Sequence, residues 1–333
     1  MSNNPTLKLN LAGCAVEFSC AVQELAAAVA ADFSAFPSDG GGATVRIEAR
    51  REAVSPPGRT LLRSRRYSVL PARPGLRRVW YPEGALCEYD YSTRSGLIRG
   101  DSAALLKELS YLLILSRAGE ELDRRGLHRL HAGALGRGGR ALLFCGAQGT
   151  GKTTLLLELL KDPDFSLLSD DTPLIAADGT VLPFAARIGL GLDSPHLARL
   201  GALREFERRH CPPKRLLDIG PGGIRVSPPL PPGGVFLLRR AAAPRVRPAG
   251  RAAAAAELLR SLALGCGTPQ LAEYFLRPDP ADAARKAGIL FSRLRAARAL
   301  LSKTDFYIFE AGPDRAANAA VLKAFLNSGS AAA

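Results

Sequence analysis

The sequence predicts an α/β protein with a core built on a phosphate-binding loop, preceded by a small strand-rich α+β domain. Three observations carry that expectation. Residues Gly146-Ala147-Gln148-Gly149-Thr150-Gly151-Lys152-Thr153 fit the pattern G-x-x-x-x-G-K-[ST] at every fixed position. The flanks suit that loop: Arg140 to Cys145 is apolar enough for a buried strand, and Thr154 to Leu160 reads as a helix. Residues 1–100 carry short apolar alternations separated by Pro and Gly turns, the pattern of strands joined by tight connections.

In chain order, Thr6 to Leu11 and the stretch around Val16 and Phe18 alternate as strands, and Gln23 to Phe36 has Leu25, Val29 and Phe33 at helical spacing. Val45 and Ile47 mark a further strand, and Tyr67 to Leu70, Arg78 to Tyr81 and Leu86 to Tyr91 read as short strands. Trp80, Tyr81, Tyr89 and Tyr91 are expected in a core rather than in a partner groove. Asp101-Ser102 is placed to cap an amphipathic helix that stops at Gly126 and connects the halves. The expected domains are therefore 1–100, a connecting helix over 101–126, a phosphate-loop domain over 127–327 and a disordered tail over 328–333.

Leu127 to Leu135, with a turn at Gly136-Arg137-Gly138-Gly139, makes a hairpin leading into the loop. Glycines let the loop backbone curl so that its N–H groups point inward at phosphate oxygens, and the following helix N-terminus adds partial positive charge. Lys152 would reach the β- and γ-phosphates, and the Thr153 hydroxyl would ligate Mg²⁺. The expected nucleotide-contacting set is Gly146, Ala147, Gln148, Gly149, Thr150, Gly151, Lys152, Thr153 and Thr154.

Phe165 to Ser169 is a strand ending in the adjacent carboxylates Asp170-Asp171, about one helix and one strand beyond Lys152. If that strand runs parallel to the one before the loop, the carboxylates fall at the same sheet edge. Most phosphate-loop proteins place their Mg²⁺-associated acid further along the chain, so the tight pairing is more specific than the loop alone. One carboxylate can hold the metal while the other accepts a proton from an attacking hydroxyl; the alternative is that one of them merely caps the turn. Arg187 is a candidate to neutralise transferring phosphoryl charge, against a solvated surface arginine. Beyond it, Thr172 to Ile175 and Thr180 to Phe184 read as a hairpin, Ser194 to Arg209 as a helix and Lys214 to Ile219 as a strand. A Pro/Gly-rich connector over 220–234 precedes the strand Val235 to Leu238. Ala252 to Ala263, Gln270 to Leu276 and Pro280 to Leu301 read as helices, Phe306 to Phe309 as a final strand and Pro313 to Leu326 as a closing helix.

The chain of 333 residues has a net charge of +14, mostly from arginine. That charge suits either an acidic partner or a composition biased to Arg, Ala, Gly and Pro; the scatter of the arginines favours the second and argues against nucleic acid. Six cysteines without a C-x-x-C pair read as reduced thiols, and no segment is apolar enough to span a bilayer, so a cytoplasmic protein without membrane contact is expected.

Leu130-His131-Ala132-Gly133, the glycine turn, Leu142 to Thr153, and Leu168-Ser169-Asp170-Asp171 together resemble the catalytic domain of the HPr serine kinase family. They resemble more closely the HPr-kinase-related kinases of peptide-maturation systems, such as those of lasso-peptide clusters. The resemblance is specific over about 127–190, weakens over 190–310 and is only general over 1–100. It implies a core related to phosphoenolpyruvate carboxykinase that uses ATP and Mg²⁺ to phosphorylate a serine hydroxyl. By position it makes Asp170 the general base, Asp171 the companion acid near the metal, and His131 a support for the carboxylate or the phosphoryl group; read alone, His131 is as well a satisfied strand histidine. The Arg-Gly-Leu-Gly-Ile stretch of the bifunctional members is absent, which sets aside phosphorylase activity and HPr itself as substrate. The expected function is an ATP-dependent kinase acting on a serine-type hydroxyl of a peptide or small protein, including a ribosomally made precursor. A small-molecule hydroxyl kinase and a nucleotide-binding accessory protein without transferase activity stand as alternatives, and homo-oligomerisation is left open.

Overall fold

A computed structural model describes residues 5–36, 42–194, 196–197, 203–219, 223–268, 271–275, 277 and 279–329. In chain order the elements are β1 (Thr6–Leu11), β2 (Cys14–Cys20), α1 (Gln23–Asp32), β3 (Val45–Arg51), β4 (Leu62–Arg63), β5 (Ser68–Leu70), β6 (Leu76–Tyr81), β7 (Ala85–Asp90), β8 (Ser95–Gly100) and α2 (Ala103–Arg124). Next come β9 (Leu127–Arg129), β10 (Ala132–Arg137), β11 (Arg140–Cys145), α3 (Lys152–Leu159), β12 (Ser166–Ser169), β13 (Leu174–Ala176), β14 (Val181–Leu182), β15 (Arg187–Gly191), β16 (Arg204–Phe206) and β17 (Lys214–Asp218). The chain continues through β18 (Pro232–Arg240), β19 (Arg245–Pro248), α4 (Arg251–Leu258) with a π-helical turn over Leu259–Ala263, α5 (Ala272–Phe275), α6 (Pro280–Lys303), β20 (Phe306–Ala311) and α7 (Arg315–Asn327). This is a mixed α/β chain, and among the described residues no helix is long and apolar enough to cross a membrane.

The chain separates into two compact units, Met1–Glu121 with Arg204–Asp218 and Pro269–Asp282, and Leu122–Leu203 with Ile219–Thr268 and Ala283–Ala333. Two segments expected within 127–327 thus belong to the first unit. Their polar anchors explain why: Arg204 reaches buried Asp32 at 2.7 Å, Arg209 reaches Glu108 at 2.9 Å, and the Tyr81 hydroxyl donates to Glu273 at 2.6 Å.

The first unit is organised on a sheet ordered β1-β2-β3-β8-β7-β6-β5-β4. The antiparallel β1–β2 hairpin joins through parallel β2–β3 and β3–β8 pairings to an antiparallel meander. Alternation sets the burial, since Cys14, Val16, Phe18 and Cys20 point to one side and are covered. Trp80, Tyr81 and Tyr89 are buried, as core aromatics, while Tyr91 is only half-buried, its hydroxyl donating to the Tyr274 carbonyl at 2.6 Å. β8 escaped sequence reading because Gly96 and Gly100 interrupt its apolar pattern; Gly96 lies close under α2, where a Cβ would stand 3.1 Å from the Leu113 side chain. Ser102 caps α2 as expected, accepting from the Leu105 N–H at 3.3 Å.

The expected helix over Ser194 to Arg209 is not formed at its end. Arg204–Phe206 is a strand, antiparallel to β17, with Arg204 clasped by Asp218 at 2.5 Å and Phe206 buried. Cross-strand pairing outweighs the weak helical periodicity there. Residues 195 and 198–202 of that expected helix, and 330–333 of the expected tail, lie outside the described residues.

The second unit carries the glycine-rich loop. Its main sheet is ordered β12-β10-β11-β18-β20-β19. β10 is antiparallel to both β11 and β12, so β12 runs in the same direction as β11, which is also parallel to β18. The C-terminal ends of β11, β12 and β18 and the start of β10 therefore share one edge. Side chains alternate between two layers. Ala132, Ala134, Leu143, Cys145, Val235 and Leu237 face a core completed by Leu258, Leu262, Ala296 and Leu300 of α4, its π-helical turn and α6. On the other face Phe144, Phe236 and Tyr307 stack in sequence at 5.4 and 5.3 Å between ring centroids, with Phe325 of α7 at the end. Leu156 of α3 lies on this face too, 2.9 Å from where a Cβ on Gly133 would stand, so β10 needs glycine there for the helix to settle.

Candidate active site

Strand β11 ends at Cys145 and the chain turns through Gly146 to Gly151 into α3. Gly149 and Gly151 have φ of +82° and +94°, a left-handed backbone that glycine adopts without a Cβ clash. The loop braces itself: Thr150 Oγ1 donates to the Ala147 carbonyl at 2.9 Å, and Arg240, from the end of β18, donates through Nε to the Gly149 carbonyl at 3.0 Å. Ala147, Gln148, Gly149 and Gly151 are exposed, Thr150, Thr153 and Thr154 half-buried, and Gly146 buried. No acidic side chain stands in the first turn of α3, so nothing there neutralises the helix N-terminus.

Lys152 is the first residue of α3, and its side chain is buried beneath the loop. Its ammonium donates to the Gly146 carbonyl at 2.6 Å and the Ala147 carbonyl at 3.3 Å, and lies 3.4 Å from His131 Nε2. Burial pushes its pKa below the ordinary lysine value, while Asp171 and then Cys145 and Asp170 favour the charged form.

His131 precedes β10 and stands between the loop and the acid pair. Its Nδ1 is 3.0 Å from Asp171 Oδ1, a charge-range contact that is off the hydrogen-bonding axis. The backbone clamps it: the His131 N–H donates to the Ser261 carbonyl at 3.4 Å, and the Ala132 N–H to the Asp171 carbonyl at 3.0 Å.

Asp170 and Asp171 follow β12 through a turn set by Ser169. The Ser169 hydroxyl donates to the Phe184 carbonyl at 2.9 Å and accepts from the Thr172 N–H at 3.0 Å. The two carboxylates differ in environment. Asp170 is 8 % exposed, and its Oδ2 accepts from the Gly189 N–H at 3.3 Å. The Asp171 side chain is 55 % exposed and faces His131. Arg187 is half-buried and opens β15, the strand whose Gly189 holds Asp170.

The structure thus joins His131, Lys152 and Asp171 in one chain of contacts, with Asp170 just past the end of β12 and near enough for its charge to act on Lys152. Chemically, this edge offers a glycine-rich turn at a helix N-terminus, a buried ammonium and two carboxylates of unlike exposure. That set can hold a polyanion and receive a proton beside it.

Sequence reading missed the wall contributed by α4 and its π-helical turn. Ser261 of that turn carries the carbonyl that holds His131, and its hydroxyl donates to the Glu257 carbonyl at 2.7 Å. Glu257 acts on both Lys152 and the Cys145 thiol, which burial first and Glu257 second push up to about 12. Gly267, at φ +89°, lies against the imidazole, where a Cβ would fall 2.6 Å from His131 Cδ2. The only signal in the sequence was a glycine outside any motif. Gly267→Ala should destabilise the fold by about 1–3 kcal/mol through backbone strain and displace the His131 ring. A denaturant titration and the His131 ring resonances check this; an unmoved ring would show that the contact is slack.

Compared with known proteins, the chain matches no family model, and a search of curated proteins returns no relative.

Proposed function

We propose that the protein is an ATP-dependent phosphotransferase of the HPr-kinase-like type that moves the γ-phosphoryl of ATP to a serine-type hydroxyl of a peptide or small protein. The observation that carries this reading is the meeting of His131, Lys152, Asp170 and Asp171 at the edge where the glycine-rich loop turns. A shielded carboxylate beside an exposed one supports transfer over binding alone, because a proton acceptor and a metal-side acid want unlike surroundings.

In this reading the loop amides from Gly146 to Thr153 cradle the phosphate chain, and Lys152 leaves the loop carbonyls to meet the β- and γ-oxygens. Asp170, shielded and oriented by the Gly189 N–H, takes the proton of the attacking hydroxyl. His131 stands against Asp171, Nδ1 3.0 Å from Oδ1, and supports that carboxylate beside the transferring group. Arg187 stands on the strand behind Asp170 as the candidate for charge neutralisation. Among the described residues no group of three or more His, Cys, Asp and Glu is spaced to hold a metal. Mg²⁺ fits this sparse set, because it keeps water and phosphate ligands and asks for only one or two protein oxygens, here those of Thr153 and Asp171. Bound there, Mg²⁺ would neutralise charge on the phosphate oxygens.

The test is incubation with γ-labelled ATP and serine-containing peptides. Label in a peptide supports the reading. Label in small metabolites alone supports a small-molecule kinase, and ATP binding without any transfer supports an accessory nucleotide-binding protein. Lys152→Met should weaken ATP binding about 10–100-fold, the loss expected for a charge-assisted contact to phosphate. Equal affinities in a binding titration would remove Lys152 from the phosphate site.

A further inference from the structure

We propose that the cleft beside the glycine-rich loop binds the acceptor, and that it selects a peptide with an acidic side chain close to the modified serine. The inference rests on the kinase reading above and adds the chemistry of the acceptor to it.

The cleft measures about 430 Å³ and lies within the second unit. Its floor is Cys145, Gly146 and Ala147, the last two supplying the carbonyls that hold the Lys152 ammonium. The walls are Leu237 and Leu238 of β18 and the small Ala253 and Ala256 of α4. A volume near the lower end of the usual range for ligand pockets, about 300–1,000 Å³, suits a short segment of chain. The apolar walls suit a side chain beside the reacting residue.

Charge decides what kind of segment. The remaining lining residues are Arg239, Glu257 and Arg260. Arg260 Nη2 donates to Glu257 Oε1 at 2.6 Å and its Nε to Oε2 at 3.3 Å, yet the Arg260 side chain remains 44 % exposed. A guanidinium so placed keeps donors free for a second carboxylate. Two arginines and a single glutamate line the cleft, in a chain with a net charge of +14. Arg260 also stands on the π-helical turn, an irregularity frequent at functional sites, and the same turn positions His131 through Ser261.

The cleft is assigned to the acceptor rather than to the nucleoside on geometry. Alternation along β10 puts Ala132 and Ala134 on the α4 face and Gly133 against Leu156 of α3. Arg260 adjoins Ser261, whose carbonyl holds the His131 N–H, so the α4 side of the cleft borders the His131–Asp171 contact where the hydroxyl would react.

The experiment uses the full chain, labelled Mg·ATP and a set of peptides with one serine. Each flanking position is fixed in turn as Glu, Lys or Leu. Glu at one position near the serine should be favoured over Lys by about tenfold, Arg260→Glu should reverse that order, and Arg260→Lys should keep it. Ala256→Leu, which fills the cleft, should raise the KM for peptide more than that for ATP. Peptide labelling with no positional preference, or a preference that Arg260→Glu leaves in place, overturns the proposal. So does an Ala256→Leu variant that weakens ATP alone, which would make the cleft a nucleoside pocket. Bound ATP with no peptide labelled at all fails the peptide-kinase reading itself.

Discussion

Asp170→Asn is expected to lower phosphoryl transfer by about 10²–10⁴-fold, the contribution of a positioned general base, while nucleotide still binds. The amide keeps the size of the carboxylate and an oxygen to accept from the Gly189 N–H, so the turn after β12 should survive. What it loses is the capacity to take a proton. Single-turnover transfer from labelled ATP measures the loss, and a nucleotide titration supplies the control. Unchanged turnover would remove Asp170 as base. Asp171→Asn provides the contrast: its exposed side chain, 3.0 Å from His131 Nδ1, should change the Mg²⁺ concentration needed for half-maximal rate more than the rate at saturation.

Arg293→Met should destabilise the second unit by about 3–5 kcal/mol, the cost of breaking a buried ion pair from one side. Asp123 is 3 % exposed and bound by Arg293 through both oxygens, Nε to Oδ1 at 3.0 Å and Nη2 to Oδ2 at 2.6 Å. His128 Nδ1 meets the same Oδ1 at 2.8 Å, and its Nε2 meets Ser292 Oγ at 2.8 Å. Burial opposes ionisation of Asp123, and the hydrogen bond from His128 and the charge of Arg293 outweigh it, holding the carboxyl below its ordinary pKa. A depressed folded pKa contributes stability above the unfolded value, near 3.8, that is lost as pH falls through the folded one. Without Arg293 the buried carboxylate is under-compensated and its pKa rises, so the deficit should be largest at neutral pH and shrink in acid as Asp123 protonates. Urea titrations of both proteins across that range measure it. A pH-independent deficit would assign the loss to packing around Met instead of charge.

Local chemistry is what a sequence carries, and the elements that depended on it were legible. The glycine-rich turn into α3 and the short strand before Asp170-Asp171 stand where period and turn residues put them. The hairpin arm expected over Leu127 to Leu135 instead divides into β9, which pairs with β13 in another sheet, and β10, which runs on to Arg137 against β11. Asp279, just before Pro280, also caps its helix, accepting from the Ala281 N–H at 3.0 Å. Elements stabilised by distant partners were not legible. β16 is a strand because of Asp218 and Asp32, not because of its own residues. β8, β15 and β19 are too short or glycine-broken to show a period of two.

The same division runs through the candidate site. Sequence alone determined its reactive types and their order: a histidine before a strand, a lysine at the start of a helix, two adjacent acids after the next strand. Those are consecutive along the chain, and their spacing carries the chemistry. Tertiary structure alone decided that the acids have unlike exposure, that Gly189 orients one of them, and that Ser261, Gly267 and Glu257 form the far wall. Burial and backbone contacts arise only when segments distant in sequence pack together, and no local pattern encodes them.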